Sequence, residues 1–293
     1  MGGRAQLCVA LALMATLLAL FSSVLWGTAD YHGGKLSKKH PAIAVLGVTQ
    51  AIGLIFGISL ALISGSFSAN AFGENGYFIP GAFAGILGYL GLICLYAGLS
   101  TGRMGVVSPI SGLSALIPVA YAYFVKGDRL SIILSIGAAL AIIGAFFASG
   151  PELSQGLPRK PLILALGAAG GFGASLVWMA IGSQGSALMT MVMMRATTLI
   201  VSLSLLIKFQ TIGGLGRKNI PVLIFIGCTD FLANLLLGVA TTRGNLTLAM
   251  VLGAMYPIVT AILAYKFLNE RLHRVQYWGV FLAVTGIAII SAF

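Results

Sequence analysis

Apolar runs long enough to cross a hydrocarbon core recur along this whole sequence, with only short polar breaks between them. That recurrence leaves few folds open. A core about 30 Å thick takes roughly 20 residues of helix. Runs of that size fall at about residues 10–33, 41–64, 77–99, 104–125, 130–149, 161–182, 187–208, 220–241, 246–267 and 274–292, which predicts ten transmembrane helices. Inside lipid each backbone N–H and C=O must bond within the protein, so such runs form helices. Only 8% of the 293 residues are charged and the mean hydropathy is +1.03, whereas a soluble domain carries about 25% charged residues. The expected class is an all-α integral membrane protein with the lipid bilayer as its solvent. No stretch is left over for a separate soluble domain.

The formal charge of +11 does not point to nucleic acid, because the 17 Lys and Arg are spread through short loops rather than gathered in one run. Basic loops suit anionic lipid head groups. The loops after odd-numbered spans hold about twelve of these cations and the remainder about four, which taken literally places both termini outside. Arg4 and the apolar run from Leu7 have the opening of a signal peptide, but the run continues through Leu25 and Trp26. An uncleaved first span is the expectation. Cys8, Cys94 and Cys228 are widely spaced in apolar surroundings, so neither a disulfide framework nor a metal site is expected. HExxH, GxSxG and Walker sequences are absent, and GGFG at Gly170 to Gly173 lacks both a preceding strand and the full dinucleotide fingerprint. No cofactor, catalytic centre or ATP-driven mechanism is therefore expected.

The end of the first half can be laid on the end of the second without a gap. GDRL (Gly127 to Leu130) falls on NERL (Asn269 to Leu272), Ala122 and Tyr123 on Ala264 and Tyr265, Gly137 on Gly279, and Leu140 and Ala141 on Leu282 and Ala283. Gly144 and Ser149 fall on Gly286 and Ser291, and upstream Gly102 falls on Gly244. Shared hydrophobicity does not by itself align a charged loop with several glycines. The register predicts a duplication, residues 1–150 and 161–293, joined by the proline- and charge-rich SGPELSQGLPRKP. A unit with an odd number of spans, repeated in sequence, inserts its second copy upside down. The expected fold is two inverted five-helix repeats, the architecture of many secondary transporters, with substrate near the midplane between the halves.

Polar residues inside the spans are the candidates for a site. Arg195 lies near the centre of the seventh span, where a charge costs at least about 2.5–3.5 kcal/mol on insertion scales. Asp230 in the eighth span is the nearest intramembrane carboxylate in sequence, with Asn234 one turn further on the same face. Two readings stand side by side: a structural Arg195 to Asp230 pair, or an Arg195 fork offered to an anionic substrate while Asp230 titrates. Gln50, in the second span, matches Arg195 if the halves are offset there by about 145 residues. Asp30 follows Trp26 late in the first span and reads either as a proton-coupling carboxylate or as a helix-end group facing Lys35 and water, the second being favoured. Tyr89, Tyr96, Tyr121, Tyr123, Trp178 and Tyr256 offer aromatic surface, mostly for packing and in part for a cavity wall. Pro109, Pro118 and Pro257 lie within the fourth and ninth spans; breaks in matching spans of two halves point to a binding site, although simple kinks are commoner.

Trp26-Gly27, the GDRL and NERL loops with the glycines that follow them, and the run GNLTLAMVLGAMYPIVTAILAYKFLNERL together resemble the EamA family of the drug/metabolite transporter superfamily. The resemblance covers nearly the whole chain. It implies a bacterial inner-membrane protein that exports amino acids, nucleosides or similar small metabolites, often coupled to protons or ions. It also implies both termini in the cytoplasm, against the loop charges, so sidedness stays open; Asp128 stands where the family usually has Glu. The expected site is a midplane cavity lined by Trp26, Gln50, Tyr96, Trp178, Arg195, Asp230 and Asn234, with Asp230 and Asp30 as proton-coupling candidates. A homodimer, a membrane enzyme acting on lipid and a non-transporting subunit remain open alternatives.

Overall fold

A computed structural model describes residues 2–100, 110–148, 159–209, 214–268 and 274–292. Ten α-helices carry them: α1 (Gly2–Ser37), α2 (Ala42–Ser64), α3 (Phe78–Ser100), α4 (Leu116–Phe124), α5 (Ile132–Ala148), α6 (Arg159–Phe209), α7 (Ile220–Arg243), α8 (Leu246–Gly253), α9 (Tyr256–Leu268) and α10 (Arg274–Ala292). Among the described residues there is no strand. Among the described residues, six stretches are long and apolar enough to cross a membrane: Ala10–Ser37, Ala42–Ser64, Phe78–Leu99, Leu162–Lys208, Arg217–Arg243 and Leu246–Phe267. Gly112–Phe124 and Ile132–Ala148 are shorter apolar helices.

Local chemistry sets the breaks. α2 ends at Gly65, whose φ of +66° lets its N–H turn back to the Ala61 and Leu62 carbonyls. The sixth and seventh expected spans are one element, α6, broken at Ser186 with φ −158° and ψ 107°. There the Ser186 hydroxyl accepts the Met189 N–H at 3.2 Å and caps the second limb. In the described part of the fourth span a 3-10 turn at Gly112–Ala115 runs into α4, with Pro118 in its first turn. The ninth is split into α8 and α9 ahead of Pro257, and the Asn245 side chain caps α8 by accepting the Leu248 N–H. NERL, Gly102, Pro109, Ser149 and residues 149–158 of the linker lie outside the described residues.

Equivalent segments meet each other. A Cβ on Gly286 would lie 2.6 Å from the Gly137 carbonyl, and one on Gly144 would lie 2.8 Å from the Gly279 carbonyl. These are the same contact read from opposite sides, since Gly137 and Gly144 fall on Gly279 and Gly286. α5 and α10 thus run antiparallel with their backbones nearly touching, which only glycine and alanine permit. α2 and the second limb of α6 behave alike at an offset of 145: Gly47 faces Ser202, Gln50 faces Arg195, and Gly57 faces Val192. Gly27 of α1 and Gly173 of α6 complete the pattern, because a Cβ on either would lie 2.7 Å from a carbonyl, of Tyr256 and Ser114 respectively. α3 lies in the crotch of α6, with Gly81 and Gly85 against the second limb and Gly88 and Gly91 against the first.

Gly144→Leu drives a side chain into the Ala283 backbone. It is expected to destabilise the purified protein by about 1–3 kcal/mol or to block folding. Gly170→Ala, where a methyl meets nothing within 4 Å, should leave the thermal midpoint in detergent unchanged. Equal midpoints for the two variants would rule out the α5–α10 seam.

Candidate functional site

Four helices bring one polar side chain each to the middle of the protein. Arg195 arrives from the second limb of α6, Asp230 from α7, Gln50 from α2 and Trp26 from α1. Arg195 is 3% exposed and Gln50 2%, so neither has bulk water to answer its polar atoms. They answer each other. Arg195 donates from Nη2 to Asp230 Oδ2 at 2.8 Å and from Nη1 to Gln50 Oε1 at 2.8 Å. Gln50 Oε1 also accepts the Thr198 hydroxyl at 3.2 Å, while its amide donates to Asp230 Oδ2 at 3.4 Å. The other carboxylate oxygen of Asp230 accepts Trp26 Nε1 at 3.1 Å and Asn234 Nδ2 at 3.3 Å.

The Asp230 carboxyl group therefore accepts from four side chains, which fixes its position beside the guanidinium. Arg195 keeps one donor in reserve, because its buried Nε has no acceptor. Beside this network lies a cavity of about 60 Å³, walled by Trp26, Tyr89, Phe172 and Tyr256 and reached by Asp30, Arg195, Asp230 and Asn234. Trp26 and Tyr256 meet edge to face at 6.1 Å between ring centres. Tyr89 donates to the Ser202 hydroxyl at 2.8 Å, and Tyr256 contacts Ser111 Oγ at 3.2 Å, so both rings are fixed by their polar ends.

The helix-end reading of Asp30 does not hold, because α1 continues to Ser37 and sets Asp30 one turn past Trp26 on the cavity wall. Among the described residues it makes no hydrogen bond or ion pair. Tyr96 is buried against Gly33 of α1 and does not line the cavity. Trp178 is likewise outside it, stacked on Phe83 at 4.8 Å between ring centres. Phe172, Ser114, Ser175 and Thr198 line the cavity without having been singled out in the sequence. One signal for Phe172 was present: in the register that lays Gly27 on Gly173, Phe172 is the counterpart of Trp26.

Known proteins supply the context for this geometry. A sequence profile of the EamA-like transporter family matches residues 13–150 and again residues 159–292. A crystal structure described simply as that of a protein superposes with a TM-score of 0.75 at 18% identity, over 94% of this chain and 95% of that one, which marks a shared fold. No curated protein matches the chain.

Removing one member of a buried ion pair strands the other and costs about 3–5 kcal/mol. Arg195→Gln and Asp230→Asn are each expected to destabilise by about that much in detergent. The double variant, which strands no charge, should cost clearly less than the sum. Additive losses in thermal or denaturant unfolding would show that the two side chains are not coupled.

Proposed function

This chain belongs to the EamA-like transporter family, and from that premise we propose that it is a secondary transporter moving a small polar metabolite by alternating access about the central cavity. The family consists of transporters rather than enzymes, and the apolar helices make the chain a multi-pass membrane protein. The observation that carries the reading is the position of the cavity. It sits between helices of both family-matched segments, with walls from α1, α3, α6, α7 and α9.

The ten-crossing arrangement as two inverted halves of five, residues 1–150 and 161–293, is part of the proposal. It counts the limbs of α6 as two crossings and α8 with α9 as one broken crossing. Its support is the antiparallel packing of equivalent helices: a two-fold axis along the membrane normal would leave them parallel, and one in the membrane plane turns them over. Small residues at the α5–α10 seam suit the rocking of one half on the other. Export across a bacterial inner membrane is proposed on the family's usual direction and location.

Substrate contact is assigned to Trp26, Arg195, Asp230 and Asn234, with Gln50 orienting Arg195. Of the two carboxylates, Asp30 is the better proton carrier. Asp230 is engaged by Arg195 and three further donors, whereas Asp30, which has no such partner among the described residues, lies on the cavity wall where it can bind and release a proton.

Accessibility tests this reading. Ser114 lines the cavity; on a background with Cys8, Cys94 and Cys228 replaced, Ser114→Cys is expected to react with a membrane-impermeant thiol reagent from either face of sealed vesicles. Reaction from one face only, whatever solute gradient is imposed, would refute alternating access.

A further inference from the structure

We propose that the ligand for which this cavity is shaped is a small organic monocation, a primary amine or quaternary ammonium, seated on Asp30. The inference rests on the transport reading only in taking the cavity to be the substrate site. Among the described residues, three charged side chains reach the cavity: Arg195, Asp230 and Asp30. The first two neutralise each other at 2.8 Å, so of these three Asp30 is the one whose charge is not balanced. A carboxylate set among rings and helix backbone, with no hydrogen-bond or ion-pair partner among the described residues, is costly unless it takes up a proton or a cation.

The walls favour a cation over a polar neutral solute. Trp26, Tyr89, Phe172 and Tyr256 present aromatic surface on several sides, and aromatic faces attract ammonium groups most strongly where water is excluded. An anion fits less well. An incoming carboxylate would find both terminal nitrogens of Arg195 engaged by Gln50 and Asp230, only the buried Nε free to donate, and Asp30 facing it.

Proton and cation then compete for one carboxylate. Arrival of the ammonium breaks the O–H bond of a protonated Asp30, forms the ion pair and releases the proton to water, with no change in total charge for a monovalent amine. Among the described residues, the charged and titratable groups that share the cavity wall with Asp30 are Tyr89 from α3, Arg195 from α6, Asp230 from α7 and Tyr256 from α9, and His32 and Lys35 follow on its own helix. Asp230 is committed to Arg195, which leaves Asp30 as the exchanging carboxylate in the cavity.

Binding to the purified wild-type protein in detergent decides the matter. Tetramethylammonium and butylamine should raise the thermal midpoint and bind with release of a proton, and their affinity should fall as pH is lowered. Butyrate, butanol and glycine at equal concentration should do neither. Asp30→Asn, checked for folding by gel filtration and circular dichroism, should lose at least tenfold in amine affinity. Stabilisation by butyrate, butanol or glycine in place of the amines would overturn the cation assignment. So would unchanged amine affinity in Asp30→Asn; should that variant not fold, the charge selectivity of the wild type decides. Flux of a non-cationic solute through liposomes holding the protein, without amine binding, would sink this inference while leaving transport intact.

Discussion

An arginine in the middle of a membrane has to be answered, and the centre of this protein is arranged around the answer. Arg195 would cost at least about 2.5–3.5 kcal/mol to insert alone. Its relief needs Asp230 from α7 and Gln50 from α2, and the Asp230 carboxylate in turn draws in Trp26 from α1 and Asn234. Four helices, two from each family-matched segment, are thereby fixed at one point. Apolar packing alone gives little direction inside lipid, where tails are as apolar as leucine. The polar network specifies which helices meet, and the glycines let them come close enough to do so.

Much of this could be read from the sequence, and the reason is physical. A span must be about 20 residues long and apolar, so its length is dictated by the bilayer, and the expected boundaries at 187, 220 and 246 fall close to the Ser186 break, Ile220 and Leu246. The offset of 145 marked Gln50 as the counterpart of Arg195 and so both as members of a central site; that the two touch is what the structure adds, because both lie where the repeats face each other. The depth of Asp30 was not legible: α1 carries polar residues in its last turns and still continues to Ser37, and a hydropathy window cannot see that tertiary packing extends a helix. Trp178 misled for a related reason. Its ring found Phe83 on a neighbouring helix, and no spacing within one span reports which neighbour a side chain will choose.

The repeats are alike in backbone and unlike in chemistry. Gly27 and Gly173 make the same close approach, and Gly57 against Phe231 has its counterpart in Ser202 against Tyr89. Yet the carboxylate of Asp230 corresponds to Gly88, and Asp30 corresponds to Leu176. The framework is symmetric while the site is not, so the cavity presents different groups on its two flanks. A ligand with one charged end and one apolar end can then be held in a single orientation.

The Gln50 and Arg195 contact carries a consequence for how such a molecule could arise. A residue on a two-fold axis faces its own counterpart. Had the halves been two copies of one shorter chain, this place would have set like against like. Two glutamines can share a hydrogen bond, one amide donating to the other, but two guanidiniums about 3 Å apart in a medium of low dielectric would drive the copies apart. Joining the copies in one polypeptide removes that restriction, since each position can then mutate alone. The central cation is a chemistry that a paired assembly of identical halves could not have used, and fusion made it available.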